Sequence, residues 1–226
     1  MKWLLVKRLS WLVVGLLLYG TSLAMMVRAS IGVGPWDVLS QGLSRTTGIS
    51  FGMMTNLIGL GVLLLWVPLR QRPGIGTVLN VLLIGSAADV ALAVIPEPGM
   101  LLLRGLLFAG GLLLLACATG IYLAPALGPG PRDGVMTGLH ARTRAPIWLV
   151  RGGIEVTVLV AGWLLGGQVG VGTLAEALLI GPLVHRTLPF FRAVHAGVPG
   201  FGRPRPGAAP AGGPARSAEL PPSACG

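Results

Sequence analysis

The sequence predicts an all-α membrane protein with about six transmembrane helices, arranged as two inverted three-helix repeats, each with a short extra helix after its first span. Three observations lead there: a composition too apolar for water, six apolar runs of about bilayer length, and two separate motifs that recur 96 positions further along the chain.

Of the 226 residues, 53% are hydrophobic and 11% charged, and the mean hydropathy is +0.79. Soluble domains carry about 25% charged residues. No soluble core has room for this much apolar surface, so the solvent is lipid. The formal net charge of +10 does not argue for nucleic acid. The bases gather at the ends of apolar runs, as in cytoplasmic loops and lipid headgroup contacts, and not along one polar face. Cys117 and Cys225 are too few and too far apart to suggest a disulfide framework or a metal site.

The first run, residues 9–27, follows Lys2, Lys7 and Arg8. It is long for the apolar core of a signal peptide and reads as an uncleaved first span. The further spans are expected at 51–67, 75–95, 101–124, 147–165 and 171–189, each near the ~20 residues that cross a hydrocarbon core of about 30 Å. Two shorter segments, 35–45 and 131–142, precede the second and fifth spans. Each opens on Gly-X-Gly-Pro, which suits a helix with proline at its first position. Too short to cross, they read as interfacial helices or as half-helices that re-enter the protein. Residues 1–100 form a first membrane repeat and 101–196 a second. The stretch 197–226, rich in Gly, Pro and Ala, is expected to be a disordered cytoplasmic tail.

Lys and Arg set the orientation. Lys2, Lys7 and Arg8 place the N-terminus inside. Arg70 and Arg72, then Arg132, Arg142 and Arg144, and finally Arg192, Arg203, Arg205 and Arg216 follow on the same side. The third connection carries Glu97 and the fifth is uncharged, so both fall outside. Arg28 and Arg45 dissent. The balance places both termini in the cytoplasm.

The repeat carries the most information. Gly32, Gly34, Pro35 and Asp37 recur as Gly128, Gly130, Pro131 and Asp133. Gly74 and Gly76, followed by Leu82-Leu83-Ile84-Gly85, recur as Gly170 and Gly172, followed by Leu178-Leu179-Ile180-Gly181. Arg8 and Arg104 align at the same offset of 96. Each unit holds an odd number of spans, so the second enters from the opposite face. The halves are then related by a pseudo-two-fold axis in the membrane plane. With these two motif pairs, residues 8–190 resemble the YczE branch of the YczE/YyaS/YitT family of bacterial integral membrane proteins. The resemblance implies an inner-membrane location and implies no particular chemistry.

Asp37 and Asp133 stand at the third position of the short helices. One reading is helix capping. The other is that both helix ends face a cavity and bind a polar ligand or a cation. Phosphate is disfavoured, because each proline removes an amide donor and each aspartate already supplies negative charge. Glu176 and its repeat partner Asn80 lie inside expected spans. Intramembrane polar groups are functional candidates, with helix joining as the plainer role. Asp89 reads as structural, near headgroup water. Arg151 and Glu155, four apart, read as an intrahelical ion pair. Thr77 and Thr173 are expected to back-bond to their own helices. Gly110-Gly111 and Gly152-Gly153 are expected to permit close helix packing. His140, His185 and His195 lack ligand neighbours at metal-site spacing. No nucleophile, phosphate-loop or paired-carboxylate pattern is visible, so neither enzyme activity nor a cofactor is expected.

Inverted repeats with interrupted segments are a recurring route to alternating access. The leading expectation is therefore a small secondary transporter, with Asp37, Asp133, Glu176 and Asn80 lining the pathway of an unspecified small solute. The alternative is a non-transporting scaffold or accessory protein for another membrane or cytoplasmic system. The lipid bilayer is the expected partner, and a six-span bundle is compatible with a monomer and with a homodimer.

Overall fold

A computed structural model describes residues 2–196, so the tail expected over 197–226 lies outside the described residues. The described residues form nine α-helices and no strand: α1 (Lys2–Ala29), α2 (Pro35–Thr47), α3 (Phe51–Leu64), α4 (Trp66–Leu69), α5 (Ile75–Val94), α6 (Leu101–Leu123), α7 (Pro131–Thr143), α8 (Ile147–Leu164) and α9 (Val171–Ala196).

Five segments are long and apolar enough to cross a membrane: Trp3–Ala29, Phe51–Leu69, Ile75–Val94, Leu101–Leu123 and Ile147–Leu164. The segment expected as a sixth, 171–189, lies in α9. That helix is long enough, but Glu176, Arg186 and Arg192 dilute its apolar character, and it does not join the five. The expected second span is broken after Leu64, just before Pro68, and resumes as the single turn of α4. Val67, Val94, Leu101, Leu164 and Val171 are each three-quarters exposed or more. Apolar side chains turned outward on this scale mean that lipid surrounds the bundle.

The core forms where α1, α5 and α6 meet, around Leu12, Leu16, Leu23, Met26, Ile84, Leu112 and Leu115. Gly15 of α1 abuts Tyr122 near the end of α6, and Gly111 abuts Met26 and Ser22, so α1 and α6 run antiparallel. Gly20 abuts Ile84 and Ala88, and Arg28 reaches Leu92 and Glu97, so α1 and α5 run parallel. In the second half α6 and α9 are also parallel: Gly172 lies against Phe108 and Gly120 against Phe191. Thr187 Oγ1 donates to Ala116 O at 2.8 Å between them. Arg28, one of the two dissenting bases, holds Glu97 at 2.7 Å, so it neutralises an acid on its own face of the bundle.

The local backbone recurs at the sequence offset. Helices α2 and α7, α3 and α8, and α5 and α9 each begin 96 residues apart. Every described residue with positive φ has a counterpart at that distance: Ser30 (54°) and Ala126 (52°), Gly32 (114°) and Gly128 (136°), Gly48 (76°) and Arg144 (57°), Arg70 (53°) and Gly166 (89°). The Gly34 and Gly130 caps are extended at φ −61° and −62°. Each half also grips the other: Gly76 N–H donates to Leu127 O at 3.0 Å, and Gly172 N–H donates to Ile31 O at 2.8 Å. The first turns of α5 and α9 thus pack on the loop that leads into the opposite short helix.

Several local expectations change. Thr77 and Thr173 do not back-bond. Each accepts from a glycine three residues earlier, Gly74 at 3.2 Å and Gly170 at 3.3 Å, and Thr77 also donates to Pro129 O at 2.8 Å. Their position at the third residue of the helix leaves no preceding turn to bond. Gly111 packs on Met25, Met26 and Ser22 as expected, whereas a Cβ on Gly152 or Gly153 would meet nothing within 4 Å. This face of α8 has no helix against it. Asp89 caps α3, accepting from Gly52 N–H at 2.7 Å and Met53 N–H at 3.2 Å.

The halves differ in closure. Gly52 of α3 and Gly85 of α5 touch backbone to backbone: a Cβ on either would lie within 2.0 Å of the other's carbonyl oxygen. The positions 96 residues later are Trp148, exposed, and Gly181, whose Cβ would meet nothing. No comparable packing joins α8 to α9 among the described residues.

Candidate functional site: a cavity between the two short helices

The Gly-X-Gly-Pro turns aim the first residues of α2 and α7 at one another. Proline at the first helical position fixes φ where the amide would have no partner. The second and third residues then project from the helix ends into a cavity of about 630 Å³. Asp37, Asp133, Glu176 and Asn80 all line it, so the residues singled out in the sequence share one space. The wall continues through Tyr19 and Tyr122, whose ring centroids are 6.0 Å apart at 75°. Towards the C-terminal end of α9, His185 and Arg192 line it too. The cavity borders both α8 and α9 on the side where they lack mutual packing.

Asp37 is 3% exposed, and its Oδ1 lies 3.5 Å from Arg132 Nη2. That is an ion pair with no hydrogen bond behind it; Oδ1 accepts none among the described residues. The Arg132 guanidinium also lies 5.1 Å from the centre of the Trp36 ring, within cation–π range. Arg132 and Trp36 occupy the same place in the two turns, 96 residues apart.

Glu176 is 8% exposed. Its carboxyl packs against Gly34: a Cβ there would sit 2.3 Å from Oε1. Only glycine admits the carboxyl here. Glu176 Oε2 has no partner among the described residues. At the second turn, Asp133 Oδ2 lies 3.4 Å and Asn80 Nδ2 4.0 Å from the Gly130 Cβ position. Asp133 is open to the cavity. The two aspartates therefore sit differently: Asp37 is buried and pairs with Arg132, while Asp133 stays beside Gly130 at the start of its own helix.

The expected Arg151–Glu155 pair is present at 2.9 Å, on α8 at the cavity wall. The remaining motif glycines, Gly74, Gly76, Gly170 and Gly172, do not line the cavity. They seat α5 and α9 on the loops behind it. The sequence marks Arg132 only as an inward base near a membrane surface; the structure also places it at the cavity, where it pairs with Asp37. Its signal was the variable position of the Gly-X-Gly-Pro-X-Asp turn, filled by Trp in one copy and Arg in the other. Tyr19 and Tyr122 sit at no repeated motif and gave no signal.

Residues 6–189 match a family described as a family of unknown function, DUF6198. An uncharacterized protein of Haemophilus influenzae is 37% identical over 193 residues, 85% of this chain and 87% of the relative. The Bacillus subtilis uncharacterized membrane protein YczE is 33% identical, covering 84% of this chain and 89% of its own. The uncharacterized protein YyaS of the same organism is 26% identical, over 78% and 90%. No solved structure matches the chain.

Proposed function

The chain belongs to the DUF6198 family and is a YczE-like multi-pass membrane protein, and from that premise we propose that it is a small secondary carrier of the bacterial plasma membrane. In this reading α9 is the sixth span, both termini are cytoplasmic, and the two halves are inverted repeats about an axis through the cavity. The common offset of helix starts and positive-φ residues supports the repeat, and the antiparallel course of α1 and α6 supports its inversion.

One observation carries the transport reading. A polar cavity lies between two equivalent helix ends, with equivalent walls in unlike states: α3 and α5 touch through Gly52 and Gly85, while α8 and α9 stand apart. Equivalent elements in two arrangements are what alternating access requires, one half closing as the other opens. In this reading the unpacked α8–α9 side faces the cytoplasm, where the charge rule puts α7 and the C-terminal end of α9.

Substituted-cysteine labelling with a membrane-impermeant reagent tests both parts, in a variant lacking Cys117 and Cys225. The repeat-equivalent loop positions Thr47→Cys and Thr143→Cys are exposed. They are expected to label from opposite faces, in intact cells and in inside-out vesicles respectively. The cavity-lining positions Ile58→Cys and Ile180→Cys are expected to label from both faces. Loop cysteines that label from one face would remove the inverted repeat. Cavity cysteines restricted to one face would favour a scaffold.

A further inference from the structure

The geometry points to a small monovalent organic cation, with a guanidinium or ammonium head, as the ligand of this cavity, held between Asp37 and Glu176. This inference rests on the carrier reading for its role as substrate, but its binding argument stands on the cavity alone.

The charge at the buried end does not balance. Two carboxyl groups, Asp37 and Glu176, are more than nine-tenths buried and each directs an oxygen without a hydrogen-bond partner into the same cavity. The guanidinium of Arg132 is the cation within ion-pairing distance, and it reaches Asp37 at 3.5 Å. Asp133 adds a third acid from the opposite turn. Arg151 is already paired with Glu155, and Arg192 and His185 stand towards the open end. A buried carboxyl takes either a proton or a counter-charge, and one monovalent cation would supply the second.

Arg132 shows which kind of cation fits. Its guanidinium already occupies the groove between the Asp37 carboxyl and the Trp36 ring face. Carboxylate on one side and an aromatic face on the other is the arrangement that recognises guanidinium and alkylammonium heads. Tyr19 and Tyr122 extend the aromatic wall beyond it. A free cation of this type would sit beside Arg132 on Glu176 and compete with it for Asp37. The cavity, at about 630 Å³, is large enough for a head group with a short tail. A bare metal ion is disfavoured, because the described residues hold no group of three or more His, Cys, Asp or Glu side chains placed to bind one.

The test is calorimetric titration of the full chain in detergent with methylguanidinium, ethylammonium and tetramethylammonium chlorides, against sodium chloride and sodium phosphate at matched ionic strength. Saturable binding of at least one organic cation is expected, with sodium and phosphate silent. Glu176→Gln and Asp37→Asn are each expected to weaken it by about tenfold or more. Arg132→Gln, which removes the tethered competitor, is expected to strengthen it several-fold, an effect that mere loss of folding does not produce. Size-exclusion profiles identify a variant that does not fold, and the remaining variants then decide. No saturable cation binding, binding untouched by Glu176→Gln, or preference for phosphate overturns the inference. Cation binding without two-sided cavity labelling keeps this inference and removes the carrier. Two-sided labelling protected only by neutral or anionic solutes does the reverse.

Discussion

The two Gly-X-Gly-Pro-X-Asp turns share a backbone and differ in what they hold. Gly34 and Gly130 have the same extended cap, and Gly32 and Gly128 the same positive φ. At the second turn Asp133 lies beside Gly130 of its own turn. At the first, the Glu176 carboxyl from α9 packs on Gly34, and Asp37 reaches across to Arg132. The shared backbone aims two helix ends at one space, while Trp36 against Arg132 and Asn80 against Glu176 make its two sides chemically unlike. Conserving the turn and varying its side chains separates the scaffold from the chemistry.

The same contrast runs through the helix pairs, and the largest expected effect lies there. Gly85→Ala pushes a methyl into the Gly52 carbonyl and is expected to cost about 3 kcal/mol, the upper range of overpacking. Its counterpart Gly181→Ala meets nothing and is expected to be neutral or to stabilise by up to about 1 kcal/mol through helix propensity. Thermal unfolding in detergent, followed by fluorescence-detected size exclusion, compares the two. Equal losses would mean that α8 and α9 also pack tightly, and the difference between the halves would disappear.

A smaller separation is expected between the aspartates. Asp37→Asn leaves Arg132 facing the cavity without its carboxylate. Breaking a buried pair costs 3–5 kcal/mol, and with Arg132 29% exposed a loss of about 2 kcal/mol is expected. Asp133→Asn removes only a charge from the first turn of its helix and is expected to cost about 1 kcal/mol. The same unfolding measurement ranks them, and a larger loss for Asp133→Asn would reverse the roles assigned here. The smallest effect belongs to the outer ion pair. Glu97 is 63% exposed, so Glu97→Gln is expected to change stability by less than about 1 kcal/mol, and less still in high salt. A large loss there would mean that Arg28 braces α1 against α5 more than its exposure indicates.

The sequence by itself determined the helical membrane class, the first residues of the short helices and the offset of 96, and its four pathway candidates all line the cavity. Each of these rests on local physics: apolar length against bilayer thickness, proline and glycine at a helix start, and polar groups too costly to leave in lipid without a purpose. Only the tertiary structure decided that Arg132 belongs to the cavity, that Asp37 and Asp133 play unlike roles, and that Gly152 and Gly153 face open space. A side chain's partner across the bundle depends on which helices pack, and an arginine in a short polar segment reads the same whether it meets water, a headgroup or a buried carboxylate. The closed α3–α5 pair and the open α8–α9 pair were likewise beyond reach, because near-identical Leu-Leu-Ile-Gly motifs line both. Packing is set by the residue opposite, and Gly52 against Trp148 is a difference whose meaning appears only when the helices are brought together.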